Sequence, residues 1–157
     1  MASYILFLGL DGVTHPYQGT PPKSSSEIKL GDTYFRQENV VEINRVIHKL
    51  KANVVIASSW KGRYHWPLYN NLFMGKVIGE TPTIDAFLEG KEHIRYREIQ
   101  RFLDEHNTNS IPWLAIDIYR DQFPPTAPVI ITNKEQGLTR NQADTIIRWF
   151  APSSSLA

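Results

Sequence analysis

Four kinds of side chain in this sequence have types and spacings suited to acting together on a charged ligand. Asp11 stands in the run Gly9-Leu10-Asp11-Gly12-Val13, Ser58 and Ser59 precede Trp60, and Asp117 is followed at the fourth position by Asp121. A cation lies between the serines and Asp117: Arg95, with Lys91 and Arg97 as alternatives. Carboxylates, hydroxyls and a cation describe a site for a phosphate group and a hard divalent ion such as Mg2+, which takes oxygen ligands. A lone aspartate after an apolar run is weak evidence, because Asp is common in turns. The set is stronger, since each member follows or flanks its own apolar segment. With no cysteine in the chain, disulfides, thiolate metal sites and a Cys nucleophile are excluded.

The elements that must position these groups follow from periodicity. Tyr4 to Leu8 is a continuous apolar run stopped by glycine, which suits a central strand covered on both faces. Asn53 to Ala57, Lys76 to Gly79, Trp113 to Ile116 and Pro128 to Thr132 read as further strands. Helical spacing of apolar residues predicts helices over Glu38 to Lys51, Tyr64 to Phe73, His93 to His106 and from Leu138 to Phe150. Thr81 to Gly90 reads as loop with a short helical turn. Residues 14–37 read as irregular, a long loop and the only candidate for a lid, and residues 152–157 as a frayed tail on a single domain spanning 1–151. Strands alternating with helices argue for a parallel sheet with helices on both faces, and such sheets bind ligands beyond the carboxyl ends of their strands. All the candidate residues then converge on one edge.

Composition narrows the partners. The 157 residues carry 17 Lys and Arg against 16 Asp and Glu, so no global field favours nucleic acid or a membrane surface. The apolar N-terminal run is too short for a membrane span and no basic segment precedes it, so a soluble, cytoplasmic domain is expected. The segment Trp60-Lys61-Gly62-Arg63-Tyr64-His65-Trp66 interleaves bases and aromatics in the way that single-stranded nucleic acid favours. The competing and preferred reading is a helix that buries its tryptophans and keeps Lys61 and Arg63 in water.

The ordered set resembles the haloacid dehalogenase (HAD) superfamily of phosphohydrolases. It is most similar to the compact HAD domain of Swiss Army Knife RNA repair proteins. The resemblance is carried by Leu6 to Pro16, Val55 to Lys61, Gly79-Glu80-Thr81-Pro82, Arg95 to Ile99, Leu114 to Asp117 and Gly137-Leu138-Thr139, in order over nearly the whole chain. It implies a HAD-like Rossmannoid three-layer sandwich, with a five-stranded, mostly parallel sheet and little or no cap. An open site of that kind suits a phosphorylated ligand, including a macromolecular one.

Carried over residue by residue, the resemblance makes Asp11 the general acid and base, and also a metal ligand. Ser58, or Ser59 if the register slips, becomes the hydroxyl on a phosphoryl oxygen, and Arg95 the cation that neutralises it. Asp117 and Asp121 become Mg2+ ligands, with Ile118 where a second acid usually stands. The family's nucleophilic aspartate falls on Gly9, which has no side chain to attack phosphorus. The expected protein is therefore a phosphohydrolase-type domain with a phosphate and Mg2+ pocket, impaired or inactive as written, or else a non-catalytic binding or regulatory module. Each residue also has a plainer reading. Asp11 and Asp121 would shape turns, the serines would cap a following helix, and Arg95 would pair with Glu92 or Glu98 on its own helix. His15 and Pro16 read as loop shape rather than as metal ligands.

Overall fold

The computed structural model describes residues 4–17, 27–31 and 33–151. Its centre is β1 (Tyr4–Leu8), which pairs in parallel with β4 (Ala52–Ile56) on one side and β6 (Trp113–Asp117) on the other. β5 (Val77–Glu80) and β7 (Val129–Ile131) extend the sheet to five parallel strands in the order β5-β4-β1-β6-β7. The apolar run of β1 has no polar face because both of its faces are covered. Leu6 and Leu8 enter one core with α1 (Gln37–Leu50) and α4 (Arg140–Phe150). Ile5 and Phe7 enter a second core with α3 (Ile94–Glu105), where Phe7 meets the ring of Phe102 edge-on. The result is the three-layer, HAD-like Rossmannoid sandwich expected of the motif order.

Register positions the site. Leu8 lies beside both Ile56 and Ile116, so the three central strands end at one level. Gly9 N–H donates to Ile116 O and Ala57 N–H to Leu8 O, both at 2.9 Å, which carries the alignment one residue beyond the strands. Two glycines then allow the loops to close. Gly12 has φ +80°, and its carbonyl accepts a 2.8 Å bond from Thr132 Oγ1 at the end of β7. Gly137 has φ +71°, and a Cβ there would lie 2.5 Å from Asn39 Oδ1 and 2.7 Å from Val13 O. That close approach lets Leu138 N–H reach Val13 O and lets Asn39 donate to the Gln136 and Leu138 carbonyls. Thr139 next caps α4 by accepting from Gln142 N–H.

Two parts differ from the sequence expectation. Within the supposedly irregular stretch 14–37, β2 (Glu27–Leu30) and β3 (Thr33–Arg36) form an antiparallel hairpin, with Phe35 fully buried in the larger core. The rest of that stretch, residues 18–26 and 32, lies outside the described residues, as does the tail 152–157. In place of a helix over 64–73 there are turns and a 3-10 helix, Trp66–Asn71, with Pro67 at its start. The Asn70 amide, which bonds the backbone of Val77 in both directions, holds its end. The short helical turn expected in 81–90 is α2 (Ala86–Glu89), capped by Asp85. Among the described residues no helix is long and apolar enough to cross a membrane.

Candidate functional site

Beyond the ends of β1, β4 and β6 lies a pocket of about 50 Å³, enclosed by Gly9, Leu10, Asp11, Tyr17, Ser58, Ser59, Arg95, Asp117, Ile118 and Tyr119. The structure thus brings Asp11, Ser58, Ser59, Arg95 and Asp117 together around Gly9. Asp121 is exposed in a 3-10 turn, Arg120–Gln122, and is not part of the lining. Of the three cations considered, only Arg95 faces the pocket. Lys91 is exposed, and Arg97 donates to the carbonyls of Glu89, Gly90 and Glu92.

Asp117, the last residue of β6, is 3 % exposed. Its Oδ1 accepts from the amides of Ile118 (2.7 Å) and Tyr119 (3.1 Å), and its Oδ2 accepts from Arg95 Nη1 at 2.6 Å. Burial pushes this carboxyl above the usual range, against the pull of the Arg95 charge and the two amides. Arg95 enters from the first turn of α3, and its Nη1 also donates to the carbonyl of Ala57. One nitrogen therefore joins the ends of β4 and β6. Neither Nε nor Nη2 of Arg95 has a protein partner among the described residues, and Arg95 lines the pocket. Arg95 pairs neither with Glu92 nor with Glu98.

Ser58 is buried and its Oγ accepts from Trp60 N–H at 3.1 Å, so its hydroxyl proton remains available to an acceptor in the pocket. Ser59 is exposed at the mouth. The loop bearing both serines is fastened from behind by Lys61, whose Nζ donates to Thr81 Oγ1 (2.9 Å), Pro82 O (3.0 Å) and Glu98 Oε1 (2.9 Å). Glu98 Oε2 accepts from Ile84 N–H, and burial lowers the Lys61 ammonium against the pull of Glu98.

Asp11 is half-buried and its Oδ1 lies 3.3 Å from His15 Nε2. The Thr14 hydroxyl donates to Leu10 O and lies 2.8 Å from His15 Nδ1. His15 is 1 % exposed, stacked on Trp60 and edge-on to Phe35. Burial pushes its pKa down to about 4, outweighing Asp11, so the imidazole is neutral near pH 7. His15 is thus packed inside the loop, against Trp60 and Phe35. Trp60 is covered by His15 and by Arg63, which lies over its ring, while Tyr64 packs against Tyr69 and bonds Thr33. The aromatics of this basic segment are engaged in packing, but Lys61, expected in water, is buried in its pair with Glu98.

Two lining residues have no counterpart in the sequence reading. The hydroxyls of Tyr17 and Tyr119 approach to 3.4 Å over the pocket, and this bond, with burial, pushes Tyr119 up to about 12. The one signal for Tyr119 is its place two residues past a strand-end acid; Tyr17 has none.

A family model described as the HAD domain in Swiss Army Knife RNA repair proteins matches residues 5–143. No curated protein matches the chain.

Proposed function

The chain belongs to the family of HAD domains in Swiss Army Knife RNA repair proteins, and from that premise we propose that its pocket receives a phosphate-sized oxyanion without cleaving a phosphoester. The observation that carries this reading is Gly9. It occupies the position where the family places the attacking carboxylate, in the lining of the pocket and beside Asp117. A Cβ at Gly9 would lie 3.1 Å from Ile116 O and 3.5 Å from Asp117 Oδ2. The attacking group is therefore missing at the end of β1, and no aspartyl-phosphate can form there. Loss of a nucleophile lowers turnover by several orders of magnitude, roughly 10³-fold or more.

The remaining groups support binding. The unpartnered edge of Arg95 presents two nitrogens to an oxyanion, a geometry suited to paired oxygens. The Ser58 hydroxyl donates to a third oxygen, and Ser59 lies at the entrance. Asp11 also lines the pocket and suits a ligand oxygen that carries a proton. The volume of about 50 Å³ and the tyrosine pair at its lip match one phosphoryl-sized group. Members of the family usually use Mg2+, but the side chains of this pocket do not fit that ion. Among the described residues no group of three His, Cys, Asp or Glu could hold it. Both oxygens of Asp117 are already engaged.

The test is hydrolysis of an aryl phosphate by the wild-type chain and by Gly9→Asp, with orthophosphate binding measured by thermal shift. The wild type is expected to show no turnover above background and a Tm that rises with orthophosphate. Turnover by the wild type that Asp11→Asn abolishes would overturn the loss of catalysis. A Tm indifferent to orthophosphate would overturn the retained pocket. Turnover confined to Gly9→Asp would identify Gly9 as the single missing group.

A further inference from the structure

The geometry points to Arg95 as the resident cation of this pocket, holding Asp117 and the ligand together without a divalent ion. The inference rests on the oxyanion-binding reading and adds how that binding is balanced electrically. Three independent features lead to it. The first strand-end carboxylate is replaced by Gly9, and the position after Asp117 is Ile118, an apolar residue that itself lines the pocket. The one buried strand-end carboxylate that remains is bound on both oxygens, Oδ1 by two amides and Oδ2 by Arg95 Nη1 at 2.6 Å. Arg95 is also tethered to Ala57 O and only 11 % of its side chain is exposed, so it is built into the site rather than resting against it.

A divalent ion at Asp117 would compete with Nη1 for Oδ2 and share the pocket with a guanidinium. That group, tied to the β4 end through Ala57 O, has a short reach. Mutual repulsion in a half-dry pocket opposes this arrangement. The guanidinium instead performs both tasks that an ion would have. Nη1 neutralises the buried carboxylate, while Nε and Nη2 face the ligand. Such a bridge between a carboxylate and an oxyanion needs no metal coordination shell, and it survives the loss of two of the acids that a coordination shell would need.

The experiment uses the full chain and two probes, Mn2+ followed by loss of its free electron paramagnetic resonance signal, and orthophosphate followed by thermal shift with and without EDTA. Mn2+ is expected to show no saturable stoichiometric site, and the phosphate shift is expected to be the same in EDTA as in added Mg2+. Arg95→Gln is expected to weaken orthophosphate at least tenfold, while Arg97→Gln, on the same turn but bonded to the Glu89, Gly90 and Glu92 carbonyls, leaves it unchanged. Saturable uptake of one equivalent of Mn2+ by the wild type, abolished in Asp117→Asn, would overturn the inference, as would a phosphate shift that appears only with Mg2+. Both measurements are made on the wild type, so they stand even if Arg95→Gln fails to fold. Absence of any phosphate shift would defeat the binding reading, whereas Mn2+ uptake would defeat only the role of Arg95 as the resident cation.

Discussion

Replacing Lys61 by Met tests whether the loop carrying Ser58 and Ser59 is held by a buried ion pair. Lys61 and Glu98 have side chains 7 % and 6 % exposed, and their charged atoms are 2.9 Å apart. The pair joins three segments: the loop after β4, the Thr81-Pro82 segment after β5, and α3, which carries Arg95 one turn earlier. Removing the ammonium leaves Glu98 buried with only the Ile84 amide and also strips Thr81 Oγ1 and Pro82 O of their donor. Breaking a buried pair from one side typically costs about 3–5 kcal/mol, a large part of a domain's total stability. With a urea slope of about 2 kcal/mol per M, the midpoint should fall by about 2 M, read by tryptophan fluorescence. The double variant Lys61→Met, Glu98→Leu removes both charges, so it should recover much of the loss. A single-variant cost below about 1 kcal/mol, or additive losses in the double variant, would refute the reasoning.

Acid should reveal His15. Its folded pKa of about 4 lies below the unfolded value of 6.5, so the unfolded chain takes up the proton first. Stability supplied by the neutral ring is present above pH 6.5 and declines as pH falls toward 4, by up to about 3 kcal/mol. Urea midpoints at pH 7.5 and 4.5 should therefore differ more for the wild type than for His15→Gln; the raised carboxyl of Asp117 acts in the opposite sense and is common to both proteins. Gly137→Ala, at φ +71° against Asn39 and the Val13 carbonyl, should destabilise by about 2–4 kcal/mol. Gly62→Ala, at φ +87° but with nothing within 4 Å, should cost only about 1 kcal/mol, and equal losses would show that strain rather than the close approach decides.

What can be read from sequence follows from how far each interaction reaches along the chain. The edge of a parallel sheet is legible because each strand ends where its apolar run ends; hence Gly9, Ser58 and Asp117 meet as expected. The hairpin at 27–36 is harder to see, although Ile28, Leu30, Thr33 and Phe35 alternate with polar neighbours around Gly31-Asp32, a two-residue turn signature. The glycines and prolines before it outweigh that short-range signal. Charge pairing is the least legible feature. On sequence alone Arg95 has acids at hand in Glu92 and Glu98, yet it pairs with Asp117, 22 residues on, and Glu98 pairs with Lys61, 37 residues back. Helix geometry explains the exchange. Arg95 stands in the first turn of α3, level with the strand ends, and Glu98 one turn deeper, level with the Thr81-Pro82 segment. Each charged group therefore finds its partner across the sheet edge rather than along its own helix. The same exchange ties Arg95 to Asp117, so the lining of the pocket depends on the helix turn as much as on the strand ends.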